Sequence, residues 1–275
     1  MRVAAVGECT IDRYPGRGEV RAGGISLNFA VHARRAGATM AALVSCTGDD
    51  EAGRLVRAAV AHEGVDATHL HARRGRTASQ RIELSAGGER AFPAGGYDEG
   101  VLAEFRVDAA ALDMLRTVDV IAIPVFRQLE PLVAPVIALR GVPALRVADL
   151  LDGADLGHDL QAIDQLLDAL DVLFLSGGEE LVDYLLPRSR GARSLLVITH
   201  GARGSTALHG GRSTHTPATP VPPAECVDST GCGDAYQAAF SVHYARDRDI
   251  AAAMRAGAAR AARVIRHLGA FADER

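Results

Sequence analysis

A glycine-spaced turn leads into an acidic residue and an alanine-rich apolar run in the segment Asp228-Ser229-Thr230-Gly231-Cys232-Gly233-Asp234-Ala235-Tyr236-Gln237-Ala238-Ala239-Phe240. Glycine can adopt backbone angles that other residues avoid, so we expect Gly231 and Gly233 to let consecutive N–H groups converge on one point. A helix that begins near Asp234 adds the positive end of its dipole at the same place. The segment therefore predicts an anion-binding turn at the start of a helix.

The acidic residue of this segment is expected to act on a proton. A carboxylate would repel an anion held by the turn, so Asp234 is better placed to deprotonate an attacking hydroxyl while the turn stabilises a phosphoryl group in transfer. Cys232 lies between the two glycines, and we expect the helix start to lower the pKa of its thiol. The alternative is an ordinary glycine turn with an aspartate that caps the helix.

Composition limits the classes of function. The chain has 275 residues, a formal net charge of −4 and 48% hydrophobic residues, which is enough to bury a large core. Nothing in this charge balance suggests nucleic acid or an anionic membrane as a partner. All 30 basic residues are arginine, because the sequence contains no lysine. That absence excludes a Walker A loop, the phosphate-binding lysine of protein kinases and Schiff-base catalysis.

The cysteines and the apolar runs indicate a cytoplasmic protein. The four cysteines, Cys9, Cys46, Cys226 and Cys232, show neither C-x-x-C spacing nor a disulfide framework, so a reducing compartment is the simplest interpretation. The first residues enter a buried-strand pattern directly, without the flank of a signal peptide, and no apolar run reaches transmembrane length.

Short apolar runs alternate with helical patterns along the chain, which favours a mostly parallel sheet flanked by helices. The predicted strands are 2–7, 40–46, 118–125, 144–148, 172–176 and 195–199. The predicted helices are 27–36, 51–62, 109–116, 132–140, 159–170, 179–186, 235–245 and 250–267. Two segments break the alternation: 12–22 is polar and rich in glycine, and 77–84 with 90–92 has the pattern of a β-hairpin. Without a linker or repeat, 1–275 is expected to form one domain.

A second group of polar residues lies in the N-terminal third, in Val6-Gly7-Glu8-Cys9-Thr10-Ile11-Asp12-Arg13-Tyr14-Pro15 and Gly23-Gly24-Ile25-Ser26-Leu27-Asn28-Phe29-Ala30. Asp12 can accept two hydrogen bonds from hydroxyl groups, and the Asn28 amide can both donate and accept. Gly23 and Gly24 have no side chain to block a ligand. The pattern suits recognition of a polyol at the open ends of strands, although a turn aspartate and a satisfied amide remain the alternative.

The two groups together resemble the signatures of the ribokinase/PfkB family of carbohydrate kinases. The C-terminal signature of that family is D-T-x-G-A-G-D-x-F-x-A-G-F, and the matching positions here are Asp228, Thr230, Gly231, Gly233, Asp234, Ala238 and Phe240. The N-terminal G-G-x-x-x-N-x-A signature is matched by Gly23, Gly24, Asn28 and Ala30. Cys232 replaces a small residue and Ala239 replaces glycine, and neither change removes an N–H group.

The resemblance implies a ribokinase-like α/β fold with a small β-sheet lid formed by about 12–22 and 77–97, often used for dimerisation. It implies an ATP-dependent sugar kinase that uses Mg²⁺, with Asp234 as catalytic base and residues 231–233 as the anion hole. Asp12, Gly23, Gly24 and Asn28 would bind the sugar. The other class of function on this fold is a non-catalytic protein that binds sugar or nucleotide, and retention of Asp234 argues against it.

The nucleotide and ion contacts are implied by shorter matches. Thr199-His200-Gly201-Ala202-Arg203-Gly204 resembles the T-x-G-x-x-G contact to phosphate and ribose, through Thr199, Gly201 and Gly204, although it could be a plain turn. Ser176-Gly177-Gly178-Glu179 occupies the place of N-x-x-E, where Glu179 would hold Mg²⁺ through water; Glu179 could equally be a first-turn carboxylate. Gly257 would face adenine, or else allow close helix packing. Asp228 matches a position that binds a monovalent cation such as K⁺ in some relatives.

The substrate is predicted from two further segments. Cys9-Thr10-Ile11-Asp12-Arg13-Tyr14-Pro15 and Gly96-Tyr97-Asp98-Glu99-Gly100-Val101-Leu102-Ala103-Glu104-Phe105 resemble the corresponding parts of the kinases in this family that act on fructoselysine. A fructosamine carries a protonatable amine, for which Asp98 and Glu99 are the nearest candidate partners, unless both belong to a solvated loop. Ribose, 2-keto-3-deoxygluconate, another ketose or a nucleoside are the alternative substrates.

Overall fold

The computed structural model describes residues 1–152 and 161–272. Its strands are β1 (Arg2–Val6), β2 (Thr10–Tyr14), β3 (Glu19–Gly23), β4 (Met40–Gly48), β5 (Leu70–Arg73), β6 (Ser79–Arg81), β7 (Glu83–Leu84), β8 (Arg90–Ala91), β9 (Tyr97–Asp98), β10 (Val120–Pro124), β11 (Leu145–Asp152), β12 (Val172–Ser176), β13 (Leu195–Thr199), β14 (Ser205–His209) and β15 (Arg212–Thr216). Its α-helices are α1 (Ile25–Arg35), α2 (Glu51–His62), α3 (Ala109–Leu115), α4 (Glu130–Ile137), α5 (Gln161–Leu166), α6 (Glu179–Leu185), α7 (Cys232–Asp247) and α8 (Ile250–Val264).

Nine strands form the main sheet in the order β15-β14-β13-β12-β11-β10-β1-β4-β5. In this order, every pair of neighbouring strands from β13 across to β5 is parallel. At the other end of the sheet, β14 is antiparallel to β13 and β15 is antiparallel to β14. Both faces are covered, because Val147 and Phe174 pack in one hydrophobic cluster while Ala148 and Leu173 pack in the other. Burial on both faces explains why these strands are continuous apolar runs. The predicted α/β fold is confirmed.

The lid predicted by the resemblance consists of a small four-stranded sheet in the order β3-β2-β6-β9 and of the two-stranded β7–β8 hairpin. β2 pairs antiparallel with β3 and parallel with β6, which pairs antiparallel with β9. The predicted hairpin is shorter than expected, because only Glu83–Leu84 pairs with Arg90–Ala91. The N–H of Ile82 donates to the carbonyl of Arg13 at 2.8 Å, so this part of the segment belongs to the four-stranded sheet.

Four of the described helices begin and end close to their predicted bounds, and the other four differ by three residues or more at one end. α7 begins three residues earlier than predicted, at Cys232, so the glycine-spaced turn runs directly into the helix. α4 and α8 each end three residues earlier than predicted, at Ile137 and at Val264. For the helix predicted at 159–170, residues 159–160 lie outside the described residues, and α5 covers Gln161–Leu166. Among the described helices, none has the length and apolar character needed to cross a bilayer.

Candidate active site

The polar residues of the two sequence signatures meet at the carboxyl edge of the main sheet, where open α/β sheets bind their ligands. Asn28 is in the first turns of α1 and Asp234 is in the first turn of α7, and the Asn28 Nδ2 donates a hydrogen bond to Asp234 Oδ2 at 2.7 Å. This bond joins residues that are 206 positions apart in the sequence. Asp12 is on the neighbouring β2, and its charge acts on Asp234.

The two glycines of the turn at the start of α7 have different conformations and surroundings. Gly231 has a φ of 79°, and a Cβ atom there would overlap the Cβ of Ala270. Gly233 has no positive φ, so the expectation that it needs a special backbone conformation is wrong. A Cβ atom built at Gly233 would have no neighbouring atom within 4 Å. The N–H of Cys232 donates to the carbonyl of Ser229 at 3.2 Å. The first N–H groups of an α-helix have no acceptor within the helix, so those of Gly233 and Asp234 are the next candidates for binding an anion.

The thiol of Cys232 does not have the predicted thiolate character. Burial raises its pKa to about 12, and the positive charge of Arg90 opposes this only in part, while Asp228 and Asp234 raise the pKa further. The Sγ atom donates to the carbonyl of Ala261 at 3.7 Å. Desolvation and neighbouring carboxylates thus outweigh the helix dipole at this position.

Asp234 has the electrostatic character of a general base. Burial raises its pKa to about 7, and the charge of Asp149 on β11 raises it as well, whereas the hydrogen bond from Asn28 and the charge of Arg90 lower it. A base titrating near neutral pH combines ionisation with basicity. Burial also raises the pKa of Asp12 to about 7, although its Oδ1 accepts a hydrogen bond from Thr10 at 2.9 Å.

Glu8 is a third buried carboxylate in the same region. Burial raises its pKa, and the charge of Asp149 adds to this effect. Its Oε1 accepts from the N–H of Ile25 at 3.3 Å, at the start of α1. Its Oε2 is buried without a hydrogen bond of normal geometry among the described residues, although the hydroxyl of Tyr97 interacts with the carboxylate. The buried Oγ of Ser26 and Oδ1 of Asn28 also have no such partner there. Buried polar groups are normally satisfied, so these atoms fit a ligand with several hydroxyl or amine groups.

The paired glycines allow Asp12 to occupy this site. A Cβ atom at Gly23 would overlap the Asp12 carboxylate, and Gly24, with a φ of 99°, would place one 2.8 Å from the Cα of Cys9. Gly24 also precedes the first residue of α1, so it sets the direction in which that helix leaves the lid. The signature glycines are thus required by close approach to Asp12 and to the backbone that follows β1.

The predicted nucleotide residues continue along the same edge of the sheet. Ser176 ends β12, Thr199 ends β13, and their hydroxyl oxygens lie 3.0 Å apart. Gly201 and Gly204 flank a turn after β13 with positive φ angles of 59° and 103°. A Cβ atom at Gly204 would overlap the carbonyl oxygen of Thr216, so the turn itself requires this glycine.

Glu179 and Gly257, the predicted contacts to Mg²⁺ and adenine, occupy positions for which an ordinary structural role is also available. Glu179 is exposed at the first residue of α6, and within residues 1–152 and 161–272 no group of three or more His, Cys, Asp or Glu side chains could hold a metal ion. Gly257 packs against α7, because a Cβ atom there would lie 2.8 Å from Cδ2 of Tyr236. Close helix packing therefore accounts for this glycine, and contact of Gly257 with adenine stays a prediction.

Asp98 and Asp228 are already engaged within the protein. The Oδ2 of Asp98 accepts from Arg76 Nη2 at 2.7 Å, and its Oδ1 accepts from the N–H of Gly100 at 3.0 Å. The fully buried Asp228 accepts hydrogen bonds from the Tyr14 hydroxyl at 2.9 Å and from two backbone N–H groups, those of Thr230 and Gly269, both at 2.8 Å. These bonds tie the lid to residues 228–231, the loop that leads into α7 and is named the catalytic loop for its position next to Asp234. A cation at Asp228 stays a prediction.

Three residues of the site escaped the sequence reasoning: Glu8, Asp149 and Arg90. Asp149 lies within an apolar run, and a charged residue inside a buried strand is the signal that could have identified it. Glu8 directly follows the predicted first strand, in the same segment as Asp12. Arg90 is on β8 of the lid, and nothing in its local sequence indicates that it lies near Asp234.

A mostly parallel sheet with a small lid, a glycine turn at a helix start and a buried aspartate beside it together form the arrangement expected of a small-molecule kinase. The model of the pfkB family carbohydrate kinases matches residues 2–128 and 164–274, and the chain belongs to this family. It is accordingly a phosphotransferase that acts on a sugar hydroxyl.

Relatives with established names extend this result. The chain is 29% identical over 275 residues to fructoselysine 6-kinase of Shigella flexneri, covering 98% of this chain and 99% of that protein. It is 28% identical over 270 residues to fructokinase of Klebsiella pneumoniae, covering 86% and 82% of the two chains. The structure of Arabidopsis thaliana ribokinase complexed with ribose and ATP superimposes with a TM-score of 0.78, at 18% identity and with 98% and 94% coverage. At that identity the last comparison establishes the ribokinase-like fold alone.

Proposed function

We propose that this chain transfers the γ-phosphoryl group of ATP to a hydroxyl group of a fructosamine such as fructoselysine. Asp12 and Asn28 orient the sugar, and Asp234 accepts the proton of the attacking hydroxyl. The N–H groups of Gly233 and Asp234, in the first turn of α7, stabilise the phosphoryl group in transfer. Mg²⁺, when bound with ATP, neutralises charge on the phosphates, and Glu179 would hold it through water. Ser176, Thr199, Gly201 and Gly204 would contact the nucleotide.

One observation supports an amine-bearing sugar most strongly, namely the buried carboxylate of Glu8, whose Oε2 atom has no hydrogen bond of normal geometry among the described residues. Glu8, Asp12, Asp149 and Asp234 act on one another electrostatically, and none of them is exposed. Such a group of carboxylates attracts a protonated amine and disfavours a carboxylate-bearing substrate such as 2-keto-3-deoxygluconate. Asp98, one of the two partners expected from the sequence, is already paired with Arg76, so we assign the amine contact to Glu8 rather than to Asp98 or Glu99.

The assignment of Glu8 is tested with the Glu8→Gln variant, which removes the charge but keeps an oxygen for the Ile25 N–H. We expect kcat/KM for fructoselysine to fall about ten- to a hundredfold, mainly through KM, because a charge-assisted hydrogen bond is lost. The value for fructose should change by less than about threefold. Steady-state kinetics with both sugars measure the difference.

Two outcomes would contradict that assignment. An equal loss on fructose and fructoselysine would mean that Glu8 supports the site as a whole. A larger, selective loss in a parallel Asp98→Asn variant would return the amine contact to the residue expected from the sequence.

Fructose itself is the second candidate substrate, favoured by the similarity to the Klebsiella fructokinase. A ketose without an amine would use Asp12 and Asn28 in the same way. ATP turnover measured with fructoselysine, fructose, ribose, 2-keto-3-deoxygluconate and nucleosides ranks these alternatives. Absence of turnover with every member of the panel would support a protein that binds sugar or nucleotide without catalysis.

We place the activity in the cytoplasm, which agrees with four cysteines that are all free.

We also propose that two copies associate through their lids. β3 is an edge strand of the lid sheet, and its Val20 side chain is 41% exposed. Phe92, just after β8, is 54% exposed, so each lid presents apolar surface beside an unpaired strand edge.

Light scattering at tens of micromolar protein should give twice the 28.8 kDa mass of the chain. A monomer under these conditions would contradict the proposal.

A further inference from the structure

The β7–β8 hairpin of the lid rests directly on the loop that precedes the anion turn. The N–H of Ser229 donates to the carbonyl of Gly88 at 2.8 Å, and the N–H of Arg90 donates to the Ser229 hydroxyl at 2.9 Å. That hydroxyl in turn donates to Oε1 of Glu89 at 3.3 Å. Three consecutive residues of the hairpin therefore hold one residue of the catalytic loop.

The contact is close enough to require a glycine. Gly88 has a φ of 77°, and a Cβ atom there would lie 2.8 Å from the carbonyl carbon of Val227 and 3.0 Å from the carbonyl oxygen of Cys226. The preceding Gly87 has no positive φ, and the nearest atom to its Cβ position is the Ser85 Oγ at 3.9 Å. Two adjacent glycines of one turn thus face very different surroundings.

The side chain of Arg90 connects the hairpin to the start of α7. Its Nη1 donates to the carbonyl oxygen of Ser229 at 3.1 Å, and the same oxygen accepts from the N–H of Cys232 at 3.2 Å. The guanidinium also lies 5.0 Å from the ring centroid of Phe92, which orients it on the lid. Arg90 therefore contacts the backbone that sets where the first turn of α7 begins, one turn away from Asp234.

We propose that Gly88, Glu89 and Arg90 form a latch, in which Arg90 is the positioning residue that aligns the anion turn and its neighbouring base for phosphoryl transfer. The latch places a positive charge from the lid close to the site only while the hairpin is docked. It follows that lid closure and assembly of the catalytic loop are one event. The inference rests on the proposed role of Asp234.

The charges around Asp234 give the latch a distinctive pH signature. Asp149 on β11, Glu8 after β1 and Asp12 on β2 interact unfavourably with an ionised Asp234, while Asn28 on α1 and Arg90 on β8 stabilise it. Arg90 is the cation in this set. Its removal should therefore raise the pKa of Asp234 and move the acid limb of the pH profile to higher pH.

The first test compares Arg90→Gln with Arg81→Gln, a lid arginine that pairs with Glu83 on the surface. We expect Arg90→Gln to lower kcat about tenfold at pH 7, with the sugar KM within about twofold, and to shift the acid limb upwards. Arg90→Lys should restore the position of the limb in part, because it keeps the charge, and Arg81→Gln should match the wild type. A rise in KM at unchanged kcat, or an equal effect of Arg81→Gln, would overturn the latch.

The second test compares Gly88→Ala with Gly87→Ala. Gly88→Ala should lower kcat at least as much as Arg90→Gln, while Gly87→Ala should keep kcat within about twofold. Circular dichroism shows whether the Gly88→Ala variant is folded. If it is unfolded, the comparison of Arg90→Gln with Arg81→Gln tests the latch by itself.

The latch and the underlying mechanism fail with different results. Wild-type turnover in the Asp234→Asn variant would exclude Asp234 as the base. An inactive Asp234→Asn variant together with a fully active Arg90→Gln variant would exclude only the latch.

Discussion

The Asp234→Asn variant should lose about two to four orders of magnitude in kcat while its affinity for ATP stays close to that of the wild type. Asparagine keeps the size of the side chain and can still contact the Asn28 amide, but it cannot accept a proton. Wild-type kcat should also decline as the pH falls through about 7, because the pKa of Asp234 is raised to about 7 and the protonated carboxyl is inactive. The residual activity of the variant should lack this limb.

Steady-state kinetics from pH 5.5 to pH 9 and nucleotide titration together check this prediction. The pKa of Asp12 is also raised to about 7, so the wild-type acid limb is a property of the coupled pair, and Asp12→Asn provides the matched comparison. That variant should act mainly on the sugar KM, since we propose that Asp12 orients the substrate. Wild-type turnover in the Asp234→Asn variant would exclude Asp234 as the base.

Alanine substitutions at Gly231 and Gly233 should separate stability from catalysis. Gly231→Ala combines a φ of 79° with overlap onto Ala270, so we expect a loss of about 2 to 4 kcal/mol in the free energy of unfolding and a large loss of activity. Gly233→Ala has an ordinary helical backbone and open space for its methyl group. Alanine also favours a helix over glycine by about 1 kcal/mol, so the stability of this variant should be equal or higher.

Denaturant unfolding measures the first half of this comparison and kinetics measure the second. The methyl group of the Gly233→Ala variant would occupy the space in which we place the phosphoryl group, so its kcat should fall although its fold is unchanged. Full activity of that variant would mean that the phosphoryl group does not approach the turn over Gly233.

The sequence predicted the fold well because both faces of the main sheet are covered. Buried strands such as β10 and β12 are apolar runs without alternation, and they stand out from helices with one apolar face. The lid was harder to predict. Its strands are two to five residues long, and residues 79–84 belong to two different sheets, a division that a single hairpin pattern cannot reveal.

The site was predictable where residue type alone carries the chemistry. The Asn28 to Asp234 hydrogen bond agrees with the grouping of the two signatures. The predicted lowering of the Cys232 pKa was wrong, because local sequence reveals a helix start but not burial or distant carboxylates. Burial and the carboxylates dominate the pKa of this thiol. Glu8 and Arg90 gain their significance from neighbours far away in the chain, and Gly257 takes its packing role from Tyr236 on another helix. Such relations depend on tertiary structure.

The bonds that assemble the site link the beginning of the chain to its end. Asn28 bonds with Asp234, Tyr14 with Asp228 and Arg90 with Ser229, across separations of 206, 214 and 139 residues. During synthesis, the half of the chain that contains Asp12 and Asn28 therefore emerges long before the residues that complete the site. A nascent chain holds no assembled base and no anion turn until α7 has been made, so the ability to consume ATP arises only with the last part of the fold. Such long-range closure also predicts slow folding, with the active site among the last regions to form.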